Sequence, residues 1–261
     1  MSDTTPPLPT LDKLSFKLSS DGTFYIVYGP GGYNGANSVT GEIVIPAEYN
    51  GKPVKEIGNN AFDRCKSLTS VTIGNGVTSI GDCAFQECSS LTAIEIPNSV
   101  TSIGSSAFSS CSALTSITVD PANTVYKSDG NCIIEKATNK LIQGCKASII
   151  PNYVTSIGTS EFMDCDDIRS IVIPASVESI SNGVFRNCDN LTNVILKGDS
   201  SIEIGSTAFY NCPKLEKIYT IEGNGWNEND TIGTAYIPID ILPAEPTVFA
   251  KTMSVKSMTI S

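Results

Sequence analysis

The chain has 261 residues, of which 40% are hydrophobic and 17% are charged, and it contains no histidine. These proportions are typical of a folded protein with a sizeable core. Without histidine, a Ser-His-Asp triad, a histidine general base and a histidine-ligated metal are excluded. A net charge of -10 leaves no basic footprint for a nucleic acid or an anionic membrane. No run of about 18 apolar residues is present, so direct insertion into a membrane is not expected.

The N-terminal segment precedes any repeated pattern. Residues 1–12 are rich in proline and polar residues and are expected to form a disordered linker. They lack the basic and apolar regions of a signal peptide, so the protein either stays inside a cell or begins here at a processed or truncated end. Apolar residues then alternate over 14–18 and 24–28, on either side of Ser-Ser-Asp-Gly. This pattern predicts an N-terminal hairpin cap within residues 13–40.

One motif then recurs along the chain with a period of about 23 residues. It reads I-G-x-x-A-F-x-x-C-x-x-L-x-x-I-x-I-P-x-x-V and begins, for example, at Ile57, Ile80 and Ile103. The alternating I-x-I segment predicts a strand with one buried face, and the x-x-A-F segment predicts a short helical or 3-10 turn. One coil of this length cannot bury its own apolar residues, so coils must stack. The sequence therefore predicts one solenoid of eight coils over residues 13–237, with a parallel sheet on one face.

This motif resembles the BspA-like leucine-rich repeat, a family found especially on bacterial surface proteins. The resemblance spans about two thirds of the chain, from Ile43 to Ile218, and rests on residues such as Ile57, Gly58, Ala61, Phe62, Cys65, Leu68, Val71 and Ile73, with Pro97 and Pro174 after later strands. It implies a leucine-rich repeat solenoid that is rich in β-strand. It also implies a non-enzymatic cell-surface or secreted module for adhesion or protein binding. The commoner leucine-rich repeat places Asn or Cys after the strand, where this chain has Gly or Pro.

Two regions depart from the repeat. Ile103 and Ile157 stand two periods and eight more residues apart, and apolar runs at 132–134 and 141–142 predict a hairpin that projects from the coil, within an insertion over 120–147. Residues 148–150 are expected to restore the strand. Near the C-terminal end, Trp226 is expected to cover the last coil rather than to stack on a ligand. Residues 238–261 lose the repeat and are expected to form an extended tail or cap.

Cysteine recurs once in each repeat, and the chain has nine in total. Six of them are expected to form a ladder of buried thiols. Disulfides between stacked cysteines and a metal site are alternatives, which the odd total and the absence of convergent CxxC spacing disfavour. Four acidic residues cluster on adjacent coils, and a calcium site there is an alternative to a solvated turn: Asp164, Asp166, Asp167 and Asp189.

The outward side of the predicted sheet is the candidate functional surface. Each strand places one outward residue between its two inward residues, and stacking aligns these as a row: Val44, Thr72, Glu95, Thr118, Ile149, Val172, Ile195 and Tyr219. The last four, which we term the apolar row, are bordered by mostly small, polar residues. They favour a partner-binding groove. Two alternatives remain: the C-terminal tail folds back over them, or β-branched residues merely suit a strand.

These patterns predict a monomeric, non-enzymatic module without cofactor or metal that binds a partner through the sheet face. The family resemblance implies that the partner is a protein or glycan of a host or neighbouring cell, and that the module acts at the cell surface or outside the cell. A structural spacer that displays neighbouring domains is the main alternative. A glycan-acting hydrolase is a third, because paired carboxylates need no histidine. After Val44, however, Glu95 is the only acid in the outward row.

Overall fold

The computed structural model describes residues 11–30, 39–197, 202–215, 217–220 and 251–252. They include one 3-10 helix, Leu11–Lys13. The strands of the first half of the chain are β1 (Ser15–Leu18), β2 (Tyr25–Tyr28), β3 (Thr40–Ile45), β4 (Glu48–Tyr49), β5 (Lys52–Ile57), β6 (Ser67–Ile73), β7 (Ser79–Ile80), β8 (Ala93–Ile96), β9 (Ser102–Ile103) and β10 (Ser116–Val119). Those that follow are β11 (Tyr126–Asp129), β12 (Cys132–Glu135), β13 (Lys140–Gln143), β14 (Ser156–Ile157), β15 (Ser170–Ile173), β16 (Ser179–Ile180), β17 (Asn193–Leu196), β18 (Glu203–Ile204), β19 (Lys217–Thr220) and β20 (Lys251–Thr252).

A regular coil contributes one long and one short strand to two separate columns of parallel strands. The long strands pair as β3–β6 and β8–β10, and later as β15–β17–β19. The short strands pair as β2–β5–β7–β9, and later as β13–β14–β16–β18. The leucine-rich repeat solenoid predicted from the motif is confirmed. Both columns are interrupted at residues 120–147, which we term the junction.

The phenylalanine of each repeat forms a stacked ladder in the core. The rings of Phe62, Phe85 and Phe108 are nearly parallel, with successive centroids 5.2 and 5.4 Å apart. Phe162, Phe185 and Phe209 form a second stack with the same spacings. All six side chains are buried. Their role is therefore to fill the core, as stacking of the repeat requires.

The x-x-A-F segments form successive turns rather than continuous helices. The N–H of Ala61 donates to the carbonyl of Gly58 at 3.1 Å, and the N–H of Cys65 donates to that of Phe62 at 3.2 Å. Two residues of this segment, Asn60 and Arg64, have φ of 53° and 59°. Because left-handed residues interrupt a right-handed helix, each i to i+3 bond closes a separate turn.

The Ile-Gly dipeptide of the motif has a steric cause. A Cβ on Gly81 would lie 2.6 Å from the backbone nitrogen of Asn59, and one on Gly104 would lie 2.4 Å from that of Asp82. The side chains of the same two residues also bond to the next coil, since Asn59 Oδ1 accepts from the N–H of Asp82 at 2.9 Å and Asp82 Oδ1 from that of Ser105 at 2.8 Å. Glycine leaves room for this close approach between coils.

The N-terminal hairpin is confirmed: β1 and β2 pair antiparallel, and β2 continues in parallel into β5. Leu11 and Asp12, which the sequence assigns to the linker, belong to the 3-10 helix instead. Residues 1–10, Trp226 and all of 238–261 except β20 lie outside the described residues, so the predictions for them are untested. The proposed division into linker, solenoid and tail also stays a prediction.

The predicted hairpin within the junction is present but does not project. β12 pairs antiparallel with β13 and, on its other side, with β11. Cys132, Ile133 and Ile134 are each 0% exposed, so β12 is buried on both faces and lies across the core. The sequence prediction of a projecting hairpin was wrong because a strand that is covered on both faces carries an unbroken apolar run.

Residues 148–150 do not form the strand that the sequence predicts. The preceding long strand, β10, has its backbone N–H groups occupied by side chains. Val119 N–H donates to Ser128 Oγ at 3.0 Å, and Ile117 N–H donates to Asn131 Oδ1 at 3.4 Å. A ladder from β10 to the next coil is therefore blocked, and the described solenoid has seven long strands where the sequence predicts eight.

Candidate binding surface

The long strands align the outward row as their spacing predicts. Val44 lies opposite Thr72 in the β3–β6 pair, and Glu95 opposite Thr118 in the β8–β10 pair. In the second half of the solenoid, Val172 lies opposite Ile195, and Ile195 opposite Tyr219. Parallel pairing in register thus places three of the four members of the apolar row side by side.

The four residues of the apolar row differ in exposure. Ile149 is 71% exposed, Val172 is partly exposed and Ile195 is only 3% exposed. The structure describes the backbone of Tyr219, which belongs to β19, but not its side chain. A partner approaching this conformation can therefore contact Ile149 and Val172, whereas Ile195 would first have to be uncovered. The binding role assigned to the four residues remains a prediction.

Ile149 belongs to no strand and lies in the chain between β13 and β14. Its N–H donates to the carbonyl of Gly130 at 2.8 Å, which fixes its backbone against the turn between β11 and β12. A Cβ on Gly130 would lie 1.9 Å from the carbonyl oxygen of Ile149, and Gly130 has a φ of +56°. This close approach requires glycine at position 130 and fixes the backbone of the exposed isoleucine.

The far end of the outward side is covered. Asn193, which precedes Ile195 by two residues on β17, is 6% exposed, and its Nδ2 donates to Thr192 Oγ1 at 2.9 Å. The C-terminal chain returns to this sheet, since β20 pairs antiparallel with β19 and Thr252 lies opposite Tyr219. Cover by C-terminal residues therefore remains an alternative to partner binding at this end.

All nine cysteines are free thiols, and eight of them are buried. Within the ladder, Cys88 Sγ donates to the carbonyl of Phe62 at 3.2 Å, and Cys188 Sγ donates to that of Phe162 at 3.2 Å. Burial raises the pKa of Cys111 to about 12. The ladder consequently consists of buried structural thiols, as the sequence predicts, and burial disfavours the thiolate that nucleophilic chemistry needs.

The acidic residues that suggested a calcium site have separate partners. Asp164 accepts a hydrogen bond from the hydroxyl of Ser110, and Asp166 Oδ1 accepts one from the N–H of Asp189 at 3.4 Å. Asp167 lies 2.6 Å from Lys146 Nζ, and this bond lowers the pKa of the carboxyl. Within the described ranges, no group of three or more His, Cys, Asp or Glu side chains is arranged to hold a metal ion.

A polar depression of about 300 Å³ lies beside this ion pair, where the coils on either side of the junction meet. Its lining residues are Ser89, Ser112, Ala113, Lys146, Asp166 and Asp167. Lys146 and Asp167 neutralise each other there.

Among the described helices, none is long and apolar enough to cross a membrane.

One buried ionisable residue was missed by the sequence analysis. Glu161 is 7% exposed and stands where four other repeats have alanine: Ala61, Ala84, Ala107 and Ala208. Burial raises its pKa well above the usual value, and nearby Lys140 opposes that shift only partly. The replacement of a consensus alanine by a carboxyl was the available signal.

The motif is shared with known proteins. The sequence model of one protein family, the BspA type leucine-rich repeat region, matches residues 41–154 and 136–255 and comprises six copies of the repeat. The chain belongs to this family. Among curated proteins, no sequence matches this BspA-type repeat protein.

Solved structures share its fold at low sequence identity. The pneumococcal vaccine antigen PcpA is 21% identical with a TM-score of 0.53; the match covers 72% of this BspA-type chain and 52% of PcpA. This chain thus spans about half the length of PcpA. A T. pallidum leucine-rich repeat protein is 23% identical with a TM-score of 0.43, and the match covers 81% of each chain. A leucine-rich repeat protein from Eubacterium ventriosum is 19% identical with a TM-score of 0.48, covering 80% of this chain and 70% of that one.

Proposed function

We propose that this BspA-type protein is a non-enzymatic binding module that recognises a protein or glycan of a host or neighbouring cell. The module binds through the outward side of its long-strand sheets, centred on Ile149 and Val172. The observation that carries the proposal is the 71% exposure of Ile149, together with the partial exposure of Val172, the next member of the apolar row. An apolar centre with a polar border is the arrangement found in protein-binding surfaces.

The energetic gain from this centre is appreciable. Complete burial of an isoleucine side chain contributes about 1.5 to 3 kcal/mol to binding. Thr118 is exposed on β10, the long strand that precedes Ile149 in the chain. Its hydroxyl offers a hydrogen bond at the rim, and the rigid solenoid places it without a large ordering cost.

Display at the cell surface is part of the same proposal. Its support is membership of the BspA-type family and the shared fold of PcpA, which is described as a pneumococcal vaccine antigen. The outward row of the described sheets holds a single acidic side chain, Glu95, so a catalytic carboxylate pair lacks its second member there. The module accordingly acts by binding rather than by hydrolysis.

The experiment that tests the proposal is a binding screen with the purified chain against arrayed host and bacterial surface proteins and glycans. The parent is expected to retain at least one ligand, and Ile149→Glu and Val172→Glu are each expected to weaken that binding at least tenfold, about 1.4 kcal/mol. The matched control is Thr72→Glu, an exposed position of the same row in the first half of the solenoid. It is expected to bind like the parent.

The alternatives make different predictions. A spacer yields no ligand in the screen even though circular dichroism shows a folded chain, and that result would overturn the binding proposal. A hydrolase releases reducing sugar from an arrayed glycan. If Ile149→Glu binds as tightly as the parent while Thr72→Glu does not, the site has been placed on the wrong part of the row.

A further inference from the structure

We infer that the solenoid consists of two separately capped blocks that unfold as independent cooperative units. The first block comprises residues 14–131 and the second comprises residues 132–215. The repeat motif runs through both, so neither the sequence period nor family membership marks a division.

The buried apolar side chains form two separate clusters within the described residues. One runs from Leu14 through Phe108 to Val119 and also takes in Tyr126, Ile133 and Cys145, and the other runs from Cys132 through Phe162 to Cys212. β12 stands between them: Ile133 belongs to the first cluster, whereas Ile134 belongs to the second. A strand buried on both faces thus forms a wall between two cores.

The end of the first block is capped by side chains. The hydroxyl oxygen of Tyr126 accepts the N–H of Ile103 at 3.1 Å, where the short-strand column stops at β9. Ser128 and Asn131 accept the N–H groups of β10 in the same way, where the long-strand column stops. These three side chains supply the acceptors that the backbone of another coil would otherwise provide, which is what the end of a solenoid needs.

The second block begins with a copy of the N-terminal cap. In the first block, an antiparallel hairpin leads into Gly29, whose N–H donates to the carbonyl of Ala61 at 2.8 Å. In the second block, the β12–β13 hairpin leads into Gly144, whose N–H donates to that of Glu161 at 3.1 Å. Both acceptors directly precede a core phenylalanine. The two hairpins therefore dock on equivalent turns.

The correspondence extends to the short strands. β2 pairs in parallel with β5, and the N–H of Gly58 donates to Val27 at 2.9 Å. β13 pairs in parallel with β14, and the N–H of Gly158 donates to Leu141 at 3.2 Å. Val27 and Leu141 are both fully buried. Each block thus starts with an equivalent hairpin, glycine and parallel short strand.

Three kinds of contact join the blocks: the four-residue β11–β12 pair, the packing of Ile133 and Cys145 on the first core, and a set of polar contacts. The N–H of Ser110 donates to the carbonyl oxygen of Met163 at 3.3 Å, and the hydroxyl of Ser110 donates to the carboxylate of Asp164. Tyr153 donates to Asp129 at 2.8 Å, and its ring lies 3.9 Å from Lys127 Nζ. Among the described ring contacts, none joins the two phenylalanine stacks across the junction.

The contacts at the junction differ from those within each block, and this difference determines whether unfolding of one coil extends to its neighbour. In a solenoid, stability is a sum of coil terms and interface terms between neighbours. Within each block the stacked coils share ring stacking and at least one ladder of parallel strands, whereas at the junction both columns of parallel strands stop and only the antiparallel β11–β12 pair continues from one block to the other. Partly exposed polar contacts contribute little to stability. Unfolding of one block is therefore expected to stop at the junction.

The ladder thiols report on the two blocks separately within the intact chain. Cys65, Cys88 and Cys111 are buried in the first block, and Cys165, Cys188 and Cys212 in the second. The experiment is a pulse of thiol-labelling reagent at increasing urea concentration, with each cysteine assigned by peptide mass spectrometry. The chain is destabilised in one block at a time by Phe85→Leu or by Phe185→Leu, which remove equivalent stacked rings.

Each variant is expected to speed labelling of the three thiols in its own block about tenfold or more, as a large-to-small core substitution does. Labelling of the other three thiols is expected to stay within about twofold of the parent, because the blocks are uncoupled. If either variant speeds both sets to the same extent, the solenoid is one cooperative unit and the inference is wrong. Val77→Ala and Val177→Ala, at another equivalent buried position, give the same comparison if a phenylalanine variant does not fold.

Discussion

The hydroxyl oxygen of Tyr126 accepts a hydrogen bond from the backbone N–H of Ile103 at 3.1 Å, so a side chain stands where the ladder of short strands stops. Tyr126 itself is 5% exposed. A phenylalanine fills the same space but leaves this N–H without its acceptor. The bond therefore allows a stability prediction.

We expect Tyr126→Phe to lower the free energy of unfolding by about 1 kcal/mol, the usual cost of one lost hydrogen bond. In a chain of this size, that corresponds to a decrease of roughly 2 to 4 °C in melting temperature, measured by circular dichroism. Tyr210→Phe is the control, because Tyr210 is 46% exposed. Equal melting temperatures for Tyr126→Phe and the parent would show that the bond contributes nothing.

Glu161 makes stability depend on pH. Burial raises its pKa in the folded chain above the usual value of 4.5, so folding favours the protonated form. The loss of folding free energy from burying this carboxyl is absent when the pH is below the usual pKa of 4.5, and it grows as the pH rises toward the higher pKa of the folded chain. We therefore expect Glu161→Gln to gain stability relative to the parent between pH 4 and pH 8.

The measurement is urea unfolding of both chains at several pH values. Glu178→Gln, at an exposed position, is the matched control for loss of a carboxyl. A difference between Glu161→Gln and the parent that does not change with pH would contradict the assignment of a buried, protonated carboxyl.

Cys83 is the one cysteine that is not fully buried. We expect one thiol in each native chain to react with a maleimide, since the reagent must reach the sulfur. Partial burial raises the pKa of Cys83, and the thiolate is the reactive form. The rate is therefore expected to continue rising above the pH at which a free cysteine levels off. Cys83→Ser should abolish native labelling, and rapid modification of a second site would refute the prediction.

Gly104 is fixed by contact with the preceding coil. A Cβ at this position would lie 2.4 Å from the backbone nitrogen of Asp82, and backbone cannot move aside cheaply. We expect Gly104→Ala to cost about 1 to 3 kcal/mol, the range for overpacking, as measured by urea unfolding. Ser105→Ala, at the exposed next position, is expected to change stability by less than about 0.5 kcal/mol. Equal stabilities for the two variants would show that the coils can separate locally.

The repeated positions were predictable because each coil meets nearly the same environment. Phe85, Cys88 and Leu91 recur with their period and are each 0% exposed. The N-terminal hairpin was predictable as well, from alternation on both sides of a turn. Binding at Ile149 and Val172 remains a prediction.

Other features left no periodic signal. Cys132-Ile133-Ile134 has no alternation, so its burial between two cores could not be distinguished from a hairpin arm. Ile149 fits the strand pattern, yet its coil lacks a ladder partner on β10. Ile195 belongs to the outward row by spacing, but only the folded chain shows that it is covered.

The sequence by itself determined the coil: its period, its inward side chains, and the glycine that lets coils approach. Only the tertiary structure decided where the stack is divided and capped. The physical reason is that each capping bond joins a template position to a residue outside the template, as with Ile103 and Tyr126 or Glu161 and Gly144. Such contacts depend on which backbone groups the neighbouring coil leaves free, and a motif repeated along the chain carries no record of that.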